Sequence, residues 1–180
     1  MSIDPRTIIR SQPMQSFQVF AVAICIALNA LDGFDILAIT FAAPGISKEW
    51  ALGPGALGIV ISTGLLGMAV GSLVLAPLAD IVGRRPTILL CLGAMAAGML
   101  LSATAHNVYT LAAWRVVTGL GIGGMLAAIN TMVAEYANER RRDLSVSLMA
   151  IGYPVGGVLG GSMAAWLLNH YDWRAVFIFG

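Results

Sequence analysis

The sequence predicts an all-α membrane protein, and three observations lead to that fold class. Hydrophobic residues make up 58% of the 180 positions, and 21 further positions are glycine. Charged residues make up only 11%, against about 25% in a typical soluble domain. The charges also fall between apolar segments long enough to cross a bilayer. A soluble globule of this size could not keep so much apolar surface away from water.

The same numbers argue against other classes of protein. Disordered chains combine low hydrophobicity with high charge, which is the opposite of this composition. Proteins that bind nucleic acid need a basic surface, whereas the formal net charge here is +1. The alternating pattern of a membrane β-barrel is absent from the sequence. We therefore expect a chain surrounded by the lipid bilayer, with no nucleic-acid partner.

The first three helices are predicted from segments that lack charge, because a helix needs about 20 apolar residues to cross a bilayer. The first, at 17–40, follows an N-terminal segment at 1–16 that ends in polar residues. The second, at 55–79, occupies the uncharged segment after Glu49. The third, at 86–104, begins after two arginines and ends at a short polar interruption.

The remaining helices are predicted in the same way. The fourth, at 108–133, contains a long uncharged run, and the fifth, at 144–168, follows a loop of three arginines. A sixth, at 173–180, is cut short where the sequence ends at Gly180. Residues 17–180 are therefore expected to form one transmembrane bundle.

Basic residues are distributed unevenly between the two sides of this bundle. Seven Lys and Arg residues precede helix one or lie in the loops between helices two and three and between helices four and five. Two lie on the opposite side, and Arg115 lies within helix four. The positive-inside rule places the richer side, and with it the N-terminal segment 1–16, in the cytoplasm.

Three ionisable residues lie within the predicted helices, where a charge is costly unless it is paired or hydrated. Asp32 and Asp35 follow Asn29 at intervals of three in helix one, which places the three side chains on one side of that helix. At 1.5 Å per residue, Asp32 lies about 12 Å and Arg115 about 10 Å below the same membrane surface. We expect either a static ion pair or a base that awaits an anion beside acids that exchange a proton. Burial of a carboxyl group disfavours its ionised form, which suits the second alternative.

Glycines recur at intervals of four in two of the helices. Gly119 and Gly123 form one such pair, and Gly152, Gly156 and Gly160 form a longer series. Small residues at this spacing allow helix backbones to approach closely, so we expect these glycines to serve helix packing.

No cofactor or metal site is predicted. Gly119, Gly121 and Gly124 match the dinucleotide-binding pattern G-x-G-x-x-G, but that pattern is informative only between a strand and an amphipathic helix. Here it lies within an uncharged membrane segment. Cys25 and Cys91 each lie in an apolar run, which indicates buried thiols rather than metal ligands.

A loop motif carries a resemblance to a known family. Residues 76–85 read APLADIVGRR, which resembles the signature G-x-x-x-D-R/K-x-G-R-R/K between helices two and three of the major facilitator superfamily. Asp80, Gly83, Arg84 and Arg85 match, whereas alanine and isoleucine replace the leading glycine and the first basic residue. Arg115 and the glycines after it resemble the helix-four pattern R-x-x-x-G-x-G-x-G of the same superfamily. The resemblance implies a carrier of two six-helix halves, of which this chain would be the N-terminal one, truncated in helix six.

A second resemblance concerns the subfamily. Residues 31–35, LDGFD, are similar to the D-G-F-D motif of the bacterial aromatic acid/proton symporters, and the Gly-Tyr-Pro sequence around Tyr153 is also similar. The resemblance implies uptake of benzoate, hydroxybenzoates, muconate or related acids across a bacterial inner membrane. It also implies that Asp32, Asp35 and Asp80 are needed for transport.

Together these features lead to one hypothesis, a proton-coupled carrier of aromatic acids rather than an enzyme. An aromatic carboxylate would be drawn to Arg115 in a site that includes Asn29 and Tyr153, while Asp32 or Asp35 takes up a proton. Asp80, Gly83, Arg84 and Arg85 would form part of an inner gate, with protons as the coupling ion and no other cofactor. Three alternatives remain: a superfamily carrier for sugars, other organic anions or drugs; a membrane enzyme or receptor; and a fragment that is inactive without its second half.

Overall fold

The computed structural model describes residues 14–180, which form six helices. They are α1 (Ser16–Trp50), α2 (Pro54–Val82), α3 (Arg84–Ala103), α4 (Val108–Tyr136), α5 (Arg142–His170) and the short α6 (Arg174–Phe179). The first five are long and apolar enough to cross a membrane. No strand occurs within residues 14–180. The predicted all-α membrane bundle is confirmed, while most of the predicted N-terminal segment lies outside the described residues.

Helix α1 differs most from its predicted span of 17–40. It continues through Pro44 to Trp50, because the residues beyond 40 are buried against other helices rather than released into a loop. Ile46 is fully buried, and Gly45 lies against the side chain of Trp173. The length needed to cross a bilayer sets a minimum for a membrane helix but does not determine where the helix ends.

The helices pack around α4, which lies along both α2 and α3, while α1 lies along α5. Glycine permits these close contacts. A Cβ atom on Gly119 or Gly123 would overlap backbone atoms of α2, and one on Gly156 would overlap the backbone of Ala30 in α1. Gly152 lies against the backbone of Ile26 and Gly160 against the ring of Phe34, also in α1.

Two apolar clusters form the interior, one at each end of the bundle. The first contains Phe34, Leu111 and Phe177, and the second contains Cys25, Met125 and Val133. The buried polar residues of α1 and α4 lie between these clusters. The interior is therefore apolar at both ends and polar in its middle layer.

Candidate functional site

The polar middle layer begins with three buried side chains of α1. Asn29, Asp32 and Asp35 are 4%, 0% and 5% exposed. The Asn29 amide Nδ2 donates a hydrogen bond to the carbonyl oxygen of Met149 in α5, at 2.6 Å. Both carboxyl oxygens of Asp32 are buried and have no hydrogen-bond partner within the described residues. Asn29 thus joins two helices, whereas the Asp32 carboxyl group accepts no hydrogen bond from the described residues.

Arg115 reaches the same layer from α4 and is 3% exposed. Its Nη2 donates to the backbone carbonyl oxygen of Asp35 at 3.1 Å, and its Nη1 donates to the Met99 sulfur at 3.5 Å. Its Nε has no partner in residues 14–180. Over the same residues, no ion pair of 4.0 Å or less joins Arg115 to Asp32 or Asp35. Within the described residues, the guanidinium is thus held by neutral acceptors and is not paired with either aspartate carboxylate.

A cavity of about 200 Å³ lies between α1, α2 and α4, beside this guanidinium. Among the described residues that line it, Arg115 is the one with a charge, and Thr40 is the other with a polar side chain. Apolar residues and glycine form the rest of the wall: Ile36, Leu37, Ile39, Ile61, Gly64, Leu65, Met68, Gly119 and Ile122. A space with apolar walls and one buried cation suits an anion that has an apolar body.

The structure brings only some of the predicted site residues to this cavity. Arg115 and Gly119 line it, and Asp35 takes part through the carbonyl group that holds Arg115. Asn29 and Asp32 precede Asp35 by one to two turns of α1 and do not line the cavity. Tyr153 is half-buried on α5, where its backbone carbonyl lies against Gly33.

The predicted gating loop lies at one end of the bundle. Gly83 alone separates α2 from α3, and its φ of +106° is a conformation that glycine adopts readily. Arg84 then pairs with Glu135 at the end of α4, through Nε to Oε2 at 2.8 Å and Nη2 to Oε1 at 2.7 Å. Asp80 lies 3.7 Å from Arg84 on the exposed side of the loop, and Arg85 is exposed. The loop is thus tied to the end of α4 by a bidentate ion pair.

The opposite end of the bundle has an ion pair that sequence reasoning missed. Arg174 at the start of α6 donates to both carboxyl oxygens of Glu49, at 2.9 and 2.8 Å. The Trp173 indole donates to Glu49 at 2.6 Å, and the Trp50 ring packs edge-on against Trp173. The only signal in the sequence was an acid near the end of one span and a base near the start of another.

The glycine motif of α4 does not have the geometry of a nucleotide-binding site. Gly119, Gly121 and Gly124 lie in the middle of α4, where backbone N–H groups are used within the helix and are not free to bind phosphate. No cluster of three or more His, Cys, Asp or Glu side chains suited to a metal ion occurs in residues 14–180.

The sequence profile of the Major Facilitator Superfamily matches residues 22–180. The chain belongs to this superfamily. Its fold agrees, because an inward-open xylose transporter from E. coli superposes on 90% of the chain with a TM-score of 0.78 at 19% identity, using 44% of its own length. An inward-facing bacterial homolog of the human lysosomal transporter Spinster superposes on 93% with a TM-score of 0.75 at 20% identity, using 40% of its length.

Relatives of this superfamily member include named carriers of aromatic acids. It is 34% identical to a gallate transporter and 35% identical to a 4-hydroxybenzoate transporter, both of Pseudomonas putida, over 99% of the chain in each case. It is 26% identical to a benzoate transport protein of Acinetobacter baylyi over 98% of the chain. The chain spans about 40% of the length of these relatives. The resemblance to the aromatic acid carriers is confirmed, and the chain is an integral multi-pass membrane protein.

Proposed function

We propose that this chain forms the N-terminal part of a carrier that takes up aromatic carboxylates together with protons. The observation that carries the proposal is the cavity beside Arg115, which combines apolar walls with one buried cation. A benzoate-like anion needs such a combination, a charge partner for its carboxylate and apolar contact for its ring.

The relatives support the same class of substrate. Gallate, 4-hydroxybenzoate and benzoate, the compounds for which they are named, each consist of a benzene ring with a carboxylate group. Carrying this class over to the present chain is part of the proposal. A Cβ atom on Gly64 would lie 3.8 Å from the Arg115 Nε, so glycine at this position leaves the space beside the guanidinium open for a ring.

The Asp32 carboxyl group is the proposed proton site. It is fully buried and both of its oxygens lack a hydrogen-bond partner in the described residues. An ionised carboxylate without partners is costly to bury, so a bound proton would accompany the state in which this layer is closed to water. Asp35, whose own carbonyl holds Arg115, would link the proton site to the anion site.

The two ends of the bundle would then serve as gates. We place Asp80, Gly83, Arg84 and Arg85 at a cytoplasmic gate, where the pairing of Arg84 with Glu135 ties the loop to α4. The orientation follows from the positive-inside rule and corresponds to a bacterial inner membrane with a cytoplasmic N-terminus. A second helical half would complete the transport pathway, as in carriers built from two repeats.

A transport assay tests the proposal. Cells that express the complete natural reading frame should accumulate labelled benzoate or 4-hydroxybenzoate, and an inward proton gradient should accelerate that uptake. Asp32→Asn should remove the acceleration, because the amide cannot bind and release a proton.

Asp172→Asn is the matched control, because Asp172 is exposed between α5 and α6 and should leave uptake unchanged. Undiminished stimulation by the gradient in Asp32→Asn would contradict the role of Asp32. Absence of aromatic acid uptake by the unaltered protein would contradict the proposed function itself.

A further inference from the structure

Thr40 differs from most hydroxyl-bearing residues of the bundle. The hydroxyl groups of Thr63, Thr87, Thr118 and Thr131 each donate to a carbonyl group three or four residues earlier, at 2.8 to 3.1 Å. Such back-bonding is the usual way for a helix to satisfy a hydroxyl group in a membrane. The Thr40 hydroxyl group makes no hydrogen bond to any residue in the range 14–180. It is therefore available to another partner.

The position of Thr40 in the cavity wall indicates which other groups would contact a partner of its hydroxyl group. Thr40 is exposed and lines the cavity beside Arg115, whereas the other lining residues are apolar or glycine. A ligand in this cavity would thus find two polar side chains, one cationic and one a neutral hydroxyl group.

Helix geometry sets the axial separation between Thr40 and the point on α1 at which Arg115 is held. Arg115 is held at the carbonyl group of Asp35, and Thr40 follows five residues later. At 1.5 Å per residue, the two points lie about 7.5 Å apart along the helix axis. Ile36 and Leu37 line the wall on α1 between these points, and Met68 faces the same space from α2. Apolar side chains and a methionine sulfur are suitable contacts for the faces and edge of an aromatic ring.

We propose that Thr40 determines specificity for ring-hydroxylated aromatic acids, by hydrogen bonding to the ring hydroxyl group while Arg115 binds the carboxylate. This inference rests on the proposed function, since it assumes an aromatic acid in the same cavity. Benzoate would bind without this hydrogen bond and would leave the Thr40 hydroxyl group without a partner. A site that binds a substrate hydroxyl group discriminates against the analogue that lacks it.

Binding measurements test the inference directly. The protein from its natural reading frame is purified into lipid nanodiscs, and the dissociation constants of benzoate, 3-hydroxybenzoate and 4-hydroxybenzoate are measured by calorimetry. We expect at least one hydroxylated acid to bind more tightly than benzoate. Thr40→Val replaces the hydroxyl group by a methyl group and should weaken binding of that acid about three- to tenfold, the range for one neutral hydrogen bond. Benzoate binding should stay the same.

Two further variants make the test specific. Thr40→Ser retains a hydroxyl group at the same position and should retain the preference for the hydroxylated acid. Thr63→Val removes a hydroxyl group that bonds within α2 and is not part of the cavity wall, so it should retain the preference too. An equal loss for all three acids in Thr40→Val, or an unchanged preference, would overturn the inference.

Failure of the proposed function would give different results from failure of the Thr40 inference. Binding with the expected preference but no uptake by cells would overturn transport and leave the role of Thr40 standing. Failure of the unaltered protein to bind any of the three acids would overturn both the substrate class and the role of Thr40.

Discussion

At the scale of single residues, the least predictable feature is how Arg115 is held. Sequence reasoning placed it in the membrane near two aspartates and left open an ion pair. The structure instead has neutral acceptors, the Asp35 carbonyl group and the Met99 sulfur. Neither acceptor leaves a pattern of charge in the sequence, because every residue has a carbonyl group and methionine is a common apolar residue of membrane helices.

The buried polar residues of α1 also have partners that the sequence did not predict. Their burial could be predicted from the cost of exposing them to lipid. Their partners could not, because the sequence does not show which helix faces each of them. Six residues turn a helix by about 600°, so Asn29 and Asp35 differ in direction by about 120° and span a broad side of α1 rather than a narrow one. Asn29 accordingly reaches α5, while the backbone at Asp35 meets α4.

Arg115→Lys tests whether the geometry of the guanidinium matters beyond its charge. Lysine keeps the charge, but a single ammonium group lacks the fork that contacts both the Asp35 carbonyl group and the Met99 sulfur. In the proposed site the fork lets Arg115 keep these contacts while it also donates to the substrate carboxylate. A hydrogen bond to a charged group contributes about 1.5–3 kcal/mol, so loss of one such bond should lower substrate affinity about tenfold or more. Calorimetry with an aromatic acid measures this change. Arg140→Lys alters an exposed arginine outside the site and the proposed gate and should leave affinity unchanged, and equal affinities in the two variants would refute the argument.

At the scale of helices, the presence and approximate position of each helix were predictable from the sequence. The residues at which the helices end were not. The apolar segments located five helices because the bilayer sets their minimum length. The extension of α1 to Trp50 involves contacts with residues far along the chain, among them the packing of Gly45 against Trp173 and the pairing of Glu49 with Trp173 and Arg174. Glycine spacing drew attention to close helix contacts, but it did not specify that α5 packs along α1 and α4 along α2.

Gly156→Ala tests the contact between α1 and α5. The added methyl group would overlap backbone atoms of Ala30, which cannot move aside as the end of a flexible side chain can. We expect the variant to be destabilised by about 1–3 kcal/mol, the usual effect of overpacking. Unfolding in a denaturing detergent, followed by circular dichroism, measures the change.

Gly93→Ala is the control for this experiment. Gly93 lies in α3 with open space where the added methyl group would lie, so the substitution should stabilise the helix by about 0.5–1 kcal/mol. Destabilisation of both variants to the same extent would show that the effect of Gly156→Ala comes from the loss of glycine itself rather than from the contact.

At the scale of the whole molecule, the bundle has a different ion pair at each end. Arg84 and Glu135 join the α2–α3 loop to α4 at one end, and Glu49 and Arg174 join α1 to α6 at the other. Arg84 of the first pair lies in a recognisable motif, whereas its partner Glu135 lies 51 positions further along the chain. The second joins residues separated by 125 positions and required the fold to be known. The apolar content predicted the class of the fold, and the loop motif predicted the superfamily.

The predicted orientation of the bundle can be tested by labelling in intact cells. The α3–α4 loop contains His106 and no Lys or Arg, whereas the α4–α5 loop contains Glu139 beside a run of arginines. These loops lie at opposite ends of α4, and the positive-inside rule places the arginine-rich loop in the cytoplasm. A membrane-impermeant thiol reagent should therefore label His106→Cys but not Glu139→Cys.

The chain is well suited to this measurement, because its two native thiols, Cys25 and Cys91, are 1% and 0% exposed and should contribute little background. Inverted membrane vesicles provide the matched control, since the labelling of the two variants should be exchanged there. Labelling of Glu139→Cys alone in intact cells would show the opposite orientation. In that case the Arg84 loop would face outward and could not form the cytoplasmic gate, although the cavity beside Arg115 would keep its chemistry, because its apolar walls and buried cation do not depend on which end faces the cell interior.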